Sequence, residues 1–282
     1  MKQNEISVKD YLVSQERFQL KLDPKYRELL YTTPTPSIDK LHLYYESEDY
    51  ISHDDNAKGI ISKLYYAVKR YNLRFKKKLI LDDKNKDNLK VLDYGCGTGE
   101  LVSYLNEHGI ETYGMEPNQK ARKIAQKKIK NKVYPNSDFL NIEKFDVITL
   151  FHVLEHIHNL EEEVEKITKA LNPNGTLYIA VPNYKSYDAH FYKEYWAAYD
   201  VPRHLWHFTE KSIHDIFSQF GMIIESIHPM WFDSFYISLI SERYQGKNWG
   251  ILRAPFIGLI SNLTAMKNGE YSSKVYKITR KN

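Results

Sequence analysis

The chain of 282 residues is most informative in what it lacks. It has one cysteine, Cys96, so no disulfide can form within it. No uninterrupted apolar run approaches the ~18 residues that a membrane span needs, and residues 1–5 open no apolar signal-peptide segment. The chain also lacks a large excess of one charge, since 40 basic and 36 acidic residues leave a formal net charge of +4. This balance does not indicate a protein that binds nucleic acid. These absences predict a cytoplasmic protein with no transmembrane segment and no nucleic-acid partner.

Glycine is sparse, with 12 residues, yet three glycines stand at alternate positions just after an apolar run. Gly95, Gly97 and Gly99 precede a helical pattern, and glycine tolerates the positive φ of a tight turn. Such a loop directs the first N–H groups of the helix at a ligand. The dinucleotide pattern G-x-G-x-x-G differs in its third glycine, and the carboxylate of Asp93 would repel a pyrophosphate. The loop therefore predicts a positively charged nucleoside as ligand.

The hydrophobic-Asp-x-Gly-x-Gly-x-Gly run resembles the first motif of the class I S-adenosylmethionine-dependent methyltransferases. That resemblance implies S-adenosylmethionine as cofactor and an α/β fold with a doubly wound seven-stranded sheet, the Rossmann-like methyltransferase fold. In this family the seventh strand inserts antiparallel beside the sixth. Apolar segments that fit such strands begin at residues 89, 112, 133, 145, 176, 222 and 275.

The resemblance also suggests a division of the chain. Residues 1–88 would form an N-terminal cap and helices, and residues 89–282 the methyltransferase core. Inserts at 183–208 and 231–271 would form the acceptor site or a lid. Residues 1–56 show no periodic pattern, and they lack the paired cysteines of the zinc ribbon found here in several similar methyltransferases, so we expect a metal-free cap. The three lysines that begin at Lys76 fit a solvated helix end.

Further cofactor contacts are expected where predicted strands end. Glu116 ends the second strand, where a carboxylate can accept both ribose hydroxyls; the alternative is an acid that serves the helix dipole. The resemblance implies that Asp138 accepts the adenine amine and that Phe139 packs on the ring, with an ordinary loop as the alternative. His152 and Val153 follow the fourth predicted strand, where α/β sheets bind ligands, and are expected beside the cofactor. The full expected set is Asp93, Gly95, Cys96, Gly97, Gly99, Glu116, Asp138, Phe139, His152 and Val153.

A cluster of histidines follows the fourth predicted strand. His152, Glu155 and His156 match the inverted zincin pattern, but a zinc protease also needs a third ligand and a long active-site helix. Ubiquinone-biosynthesis O-methyltransferases look similar here, with a Glu-x-x-Glu-His pattern. His152 departs from that pattern and replaces a hard oxygen ligand by nitrogen, which disfavours magnesium. We therefore expect no metal, and a divalent-ion site is the alternative.

Aromatic and ionisable residues crowd the 183–208 insert, which in the family lies over the transferable methyl group. The ordinary pKa of His204 and His207 suits them to proton removal, and Tyr195 could orient the acceptor. Arg203 could hold a carboxylate or phosphate on the acceptor. The alternative is core packing. The predicted reaction is O- or N-methylation of a small-molecule acceptor, with His204, His207 and Tyr195 as the catalytic residues.

The 231–271 insert is apolar and could be a lid, a homodimer surface or a lipid-facing patch, or could pack on the core. Trp249, Arg253 and Lys267 would suit a membrane rim. Two other functions are open at this point. One is an NAD-dependent oxidoreductase, which the loop spacing and Asp93 argue against. The other is a catalytically silent cofactor-binding protein that serves as a partner subunit.

Overall fold

The computed structural model describes residues 6–45, 60–81, 88–129, 132–246 and 249–281. Its strands are β1 (Ile6–Lys9), β2 (Arg17–Leu22), β3 (Leu30–Thr33), β4 (Lys90–Tyr94), β5 (Glu111–Met115), β6 (Val133–Tyr134), β7 (Phe145–Phe151), β8 (Leu171–Pro182), β9 (Trp206–His207), β10 (Met222–Pro229) and β11 (Ser273–Arg280). Its helices are α1 (Ile38–Leu41), α2 (Ile60–Ile80), α3 (Glu100–Glu107), α4 (Gln119–Lys128), α5 (Leu160–Ala170), α6 (Tyr187–Tyr192), α7 (Glu210–Ser218), α8 (Asp233–Tyr244) and α9 (Gly250–Asn268).

The central sheet has seven strands in the order β10-β11-β8-β7-β4-β5-β6. Strands β4 to β8 pair in parallel, whereas β11 lies between β8 and β10 and is antiparallel to both. The predicted seven-stranded sheet is therefore confirmed, including the antiparallel seventh strand beside the sixth. Among the described helices, none combines the length and the apolar character needed to cross a bilayer.

Helices cover both faces of this sheet, because alternate residues of its buried strands point to opposite sides. Leu92 and Ile148 join a cluster with α5 and α7, while Val91 and Val147 join a cluster with α2 and α3. All four side chains are fully buried. The carboxyl ends of the parallel strands meet at one edge, which is where open α/β sheets bind ligands.

A second sheet, in the order β1-β2-β3-β9, joins the N-terminal segment to the 183–208 insert. Tyr31 of β3 pairs with Trp206 of β9. The expectation that residues 1–56 lack a periodic pattern is wrong for β2, where Phe18, Leu20 and Leu22 alternate with polar residues. Strands β1 and β3, at four residues each, are too short to give a clear pattern. The division of the chain at residue 88 stays a prediction.

Candidate functional site

The glycine loop lies between β4 and α3 and has the backbone that the sequence predicts. Gly95, Gly97 and Gly99 have φ of 76°, 53° and 78°. A Cβ on Gly95 would lie 2.4 Å from Val153 Cγ2, so the loop after β7 packs directly on this glycine. A Cβ on Gly97 would meet nothing within 4 Å. The structure thus brings Val153 against the loop and leaves open space at Gly97 that a ligand could fill.

Asp93, near the end of β4, is 6% exposed. Thr149 Oγ1 donates a hydrogen bond of 2.7 Å to Asp93 Oδ1. Burial raises the pKa of Asp93 to about 6, although the hydrogen bond from Thr149 and the charge of Lys76 oppose that rise. The carboxylate is therefore mostly ionised at neutral pH, in a buried position where a cation would be strongly attracted.

Lys76 of α2 belongs to this site, and the prediction of a solvated helix end is wrong for it. Its Nζ lies 4.0 Å from the centroid of the Phe151 ring. Burial lowers the pKa of Lys76, while the charges of Asp93 and Asp233 raise it and so offset part of that effect. One feature of the sequence could have indicated that Lys76 faces the protein. Lys76 precedes Ile80, which is fully buried, by four residues and so shares its helix face.

Glu116 follows β5 and is held by the backbone around it. Glu116 Oε2 accepts the N–H of Gly97 at 2.9 Å, and Oε1 accepts the N–H of Asn118 at 2.8 Å. Both bonds fix the carboxylate next to the glycine loop. Each ionised oxygen can still accept further hydrogen bonds, so the arrangement is compatible with ribose hydroxyls.

The expected adenine residues lie beyond β6. Asp138 is exposed, and its backbone N–H donates to Asn136 Oδ1 at 3.2 Å. The ring of Phe139 stacks on Tyr134, with centroids 4.1 Å apart and an interplanar angle of 11°. One face of Phe139 is therefore already covered. The roles of both residues stay predictions.

Cys96 contributes its backbone to the loop, but its thiol points into the protein. The side chain packs in a buried cluster with Val102, Ala125, Ile129 and Val133. Burial raises the pKa of the Cys96 thiol, and the nearby carboxylates of Asp93 and Glu116 raise it further. The thiol is thus protonated and inert at neutral pH, and any contact of Cys96 with a cofactor would come from its main chain.

His152 follows β7 with a φ of 58°. Its Nε2 lies 3.1 Å from Asp233 Oδ2 in α8, and its Nδ1 lies 3.4 Å from Glu155 Oε1. Burial lowers the pKa of His152, but the two carboxylates outweigh that effect and raise it to about 10. His152 is therefore a cation at neutral pH and links the loop after β7 to the second insert.

Glu155 meets His156 and His204 in the interior. Their potential ligand atoms all lie within 4.8 Å of one another. Glu155 is fully buried, and apart from the 3.4 Å contact of Oε1 with His152 Nδ1 neither carboxylate oxygen has a hydrogen-bond partner. Burial raises the pKa of Glu155, but the hydrogen-bonding and charge effects of His152 and the nearby histidines lower it to about 2. This group is ionised and closely surrounded by imidazoles.

The two imidazoles of this cluster are oriented by the backbone. His156 Nδ1 donates to the carbonyl of Arg203, and His204 Nδ1 donates to that of Ala198, each at 2.9 Å. A carbonyl only accepts, so Nε2 carries the lone pair in each neutral ring. Burial and the neighbouring His156 lower the pKa of His204 to about 4. His204 is therefore neutral at pH 7, with Nε2 as an acceptor.

The two histidines are held by backbone carbonyls and lie beside a carboxylate. Such a set of ligand atoms fits a divalent ion that accepts nitrogen ligands. The third donor in this set is His204 and not His152, which pairs with Asp233 instead. The sequence motif alone could not find His204, because it lies 48 residues beyond His156. The absence of a resident metal stays a prediction, which metal analysis of protein purified without chelators would test.

The other two predicted catalytic residues lie in packed surroundings. Thr32 donates its hydroxyl proton to the carbonyl of His204 at 2.7 Å, so His207 Nε2 must donate to Thr32 Oγ1 at 2.9 Å. Tyr195 packs among the aromatic residues near β1, with its ring centroid 5.8 Å from that of Tyr11. No hydrogen bond or ring contact among the described residues joins Tyr195 to either histidine.

Arg203 does not point at an acceptor, and that expectation is wrong. Its side chain is 1% exposed and donates to Asp10 Oδ1 at 2.9 Å and to Asp200 Oδ1 at 2.7 Å. Both of those bonds come from Nη2, while Nη1 donates to the carbonyl of Tyr44 at 3.0 Å and Nε donates to Asp200 Oδ1 at 2.9 Å. These bonds occupy all three nitrogens and tie the N-terminal segment to the 183–208 insert.

Comparison with known proteins agrees with this geometry. A family model described as a methyltransferase domain matches residues 64–227, which is more than half of the chain. The chain therefore belongs to the methyltransferase domain family, and the resemblance to class I S-adenosylmethionine-dependent methyltransferases is confirmed.

Two curated relatives are ubiquinone biosynthesis O-methyltransferases. The mitochondrial enzyme of Rattus norvegicus is 33% identical over 112 residues, which cover 36% of this chain and 32% of that enzyme. The enzyme of Pelagibacter ubique is 31% identical over 113 residues, which cover 38% of this chain and 47% of that enzyme. The match thus spans about a third to a half of these relatives.

Solved structures share the fold at low sequence identity. Magnesium protoporphyrin IX methyltransferase from Synechocystis, in a structure with bound S-adenosylhomocysteine, has a TM-score of 0.53 and 16% identity. That comparison covers 86% of this chain and 94% of the Synechocystis chain. At this identity the likeness shows the fold alone.

Proposed function

We propose that this protein transfers the methyl group of S-adenosylmethionine to an oxygen or nitrogen of a small-molecule acceptor. The observation that carries the proposal is the buried, ionised carboxylate of Asp93 beside the open backbone of Gly97. A carboxylate at this point suits a ligand with an ammonium and a sulfonium group. The family of the chain supports the same cofactor.

The proposed cofactor site uses the residues expected from the sequence, with one addition. Asp93 attracts the positive end of the cofactor, and the carboxylate of Glu116 accepts the ribose hydroxyls. Asp138 and Phe139 bound the adenine, and the loop from Gly95 to Gly99 lies along the nucleoside with His152 and Val153 beside it. Lys76 supplies the opposite charge to Asp93, which suits the carboxylate of the cofactor's amino-acid group.

The proposed acceptor site is the cluster of Glu155, His156 and His204. The cofactor supplies an electrophilic methyl group on a sulfonium, so the protein has mainly to align the acceptor and exclude water. The neutral Nε2 of His204 takes the proton of the acceptor, and the carboxylate of Glu155 stabilises the imidazolium that forms. His207 positions β9 through Thr32, and Tyr195 stays a candidate for acceptor contacts.

The architecture proposed around these sites is the one expected from the sequence. Residues 89–282 form the methyltransferase core, residues 1–88 form the cap, and the insert at 183–208 contributes the acceptor site. The pairing of β3 with β9 supports a cap that is joined to that insert. A cytoplasmic location is part of the same proposal, and the possible homodimer stays a prediction.

Replacing His204 by alanine should lower turnover by about 10²-fold or more, because the acceptor loses its proton acceptor. Affinity for S-adenosylmethionine should stay within twofold or so, since His204 lies in the acceptor part of the site. The measurement is transfer of a labelled methyl group to the acceptor found in a screen, with cofactor affinity measured by calorimetry. His214→Ala is the control, because that ring is 58% exposed. Unchanged turnover would remove His204 from the mechanism.

The proposed function is tested by thermal unfolding with S-adenosylmethionine, S-adenosylhomocysteine and NAD in parallel. Both sulfur nucleosides should raise the melting temperature, and NAD should not. A shift with NAD alone would instead favour the oxidoreductase. Binding of both sulfur nucleosides together with an acceptor screen that stays empty would favour the silent partner subunit.

A further inference from the structure

The hairpin of α8 and α9 lies beyond residue 227, where the match to the methyltransferase domain ends. Small or polar side chains of α9 and the buried Ile257 face the protein, whereas most of its large apolar side chains face outward. A Cβ on Gly258 would lie 2.7 Å from Phe235 Cδ1 of α8. Ser261 donates to Asp188 Oδ1 at 2.6 Å, and Asn262 donates to the carbonyl of Trp231 at 2.9 Å. The inward face is thus closely packed against α8 and hydrogen-bonded to α6 and to Trp231.

The outward positions form one continuous apolar face, which we call the outer face of α9. It consists of Leu252, Pro255, Phe256, Leu259, Ile260, Leu263 and Met266, all of them exposed. Phe256 is 67% exposed and Met266 64%. At about 100° per residue these positions span an arc of roughly 140°. An apolar face of this breadth on a soluble domain indicates a surface that meets a partner.

The exposed charges on α8 and α9 themselves are all basic. The two helices carry only two carboxylates, and both are drawn inward. Asp233 pairs with His152, and the fully buried Glu242 accepts from Arg253 at 2.6 Å. The exposed charged side chains of α8 and α9 are Arg243 and Lys267, one near each end of α9. Aromatic residues extend the face, since Trp249 is 78% exposed.

These features fit a lipid surface better than a second copy of the chain. Two α9 helices packed side by side would use a narrow seam, and the broader arc would stay partly exposed. Basic ends would also meet basic ends in such a pair, with no exposed carboxylate on either hairpin to neutralise them. A bilayer covers a broad convex face, and anionic headgroups complement Arg243 and Lys267.

We propose that the outer face of α9 docks on membranes that contain anionic lipids, with its apolar side chains at the boundary between headgroups and acyl chains. Docking does not depend on the proposed function. It would bring the 183–208 insert close to the lipid surface, because both helices are hydrogen-bonded to that insert. Ser241 of α8 accepts the N–H of Ala197, and Ser261 of α9 donates to Asp188 of α6.

The test is co-sedimentation of the full chain with vesicles of phosphatidylcholine alone or of equal parts phosphatidylcholine and phosphatidylglycerol. We expect retention on the mixed vesicles, weakened by high salt. The double variant Phe256→Ser, Leu263→Ser should bind about tenfold more weakly or worse, and Lys267→Glu should lose only the preference for phosphatidylglycerol. The matched control is Ile142→Ser, Ile223→Ser, whose apolar side chains are 84% and 42% exposed outside the hairpin. It should bind like the wild type.

Three results would overturn the proposal. The first is no retention of the wild type on mixed vesicles, and the second is equal retention of wild type and the Phe256→Ser, Leu263→Ser variant. The third is a wild-type dimer in light scattering that this variant converts to a monomer, without vesicle binding, which would assign the outer face of α9 to a second copy. Equal binding of the wild type to vesicles of phosphatidylcholine alone and to the mixed vesicles would contradict the proposed preference for anionic lipids.

Discussion

Replacing Gly97 by valine should weaken binding of S-adenosylmethionine by about 100-fold or more while the protein still folds. Apart from its two chain neighbours, no protein atom lies within 4 Å of the added Cβ, so the side chain would project into the open space proposed for the cofactor. The left-handed backbone at this position, with φ of 53°, adds a strain of roughly 1–2 kcal/mol. Calorimetric titration with the cofactor measures the loss of affinity.

A matched variant separates the ligand from the backbone. Gly109 also has a left-handed φ, 80°, and a Cβ there would likewise meet nothing within 4 Å. It follows α3, at the opposite end of that helix from the loop. Gly109→Val should therefore cost similar stability but leave cofactor affinity unchanged. Equal affinities of Gly97→Val and Gly109→Val would show that the space at Gly97 does not hold the cofactor.

Replacing Arg203 by leucine should lower the free energy of unfolding by about 3–5 kcal/mol. The change removes the cation between Asp10 and Asp200 and leaves the buried carboxylate of Asp10 without its charged partner, with only the N–H groups and hydroxyl of residues 12–14 still donating to it. It also removes one link between the cap and the 183–208 insert, which the pairing of β3 with β9 still joins. The midpoint of urea unfolding measures the effect.

The matched control is Arg27→Leu. Arg27 also forms a two-bond pair with a carboxylate, donating to Asp215 at 2.8 and 2.6 Å. Its side chain is 68% exposed, and pairs of that kind contribute about 0–1 kcal/mol. If the two variants unfolded at the same urea concentration, the buried Arg203 network would not be what holds the cap in place.

The central sheet could be predicted from the sequence because its signals are local. A strand buried on both faces gives a continuous apolar run, and Gly95, Gly97 and Gly99 mark the loop that follows. The cap could not be predicted in this way, since the strands of β1 to β3 are short and β9 comes from a distant part of the chain. Phe18, Leu20 and Leu22 do alternate in β2, but an alternating run of six residues does not report which distant segment its sheet pairs with.

The candidate site, like the fold, could be predicted from the sequence only where its signals are local. Asp93, Glu116 and Val153 lie where strand ends predict them, because each follows a parallel strand of one sheet. The cluster of Glu155 with His204 depends on a contact between two loops, and no spacing rule reports it. Arg203 shows the limit of reasoning from residue type, since its sequence neighbours suggested a ligand contact while its partners are two carboxylates of the protein.

The most direct test of the account is the affinity of S-adenosylmethionine for the wild type and for Asp93→Asn, near pH 7 and near pH 5. The ionised carboxylate is the binding form, and its pKa is about 6. Affinity should therefore fall as pH drops through that value, by about tenfold between the two conditions. Asp93→Asn should bind weakly and equally at both. Wild-type affinity that does not change with pH, or an asparagine variant that binds like the wild type, would contradict the central claim.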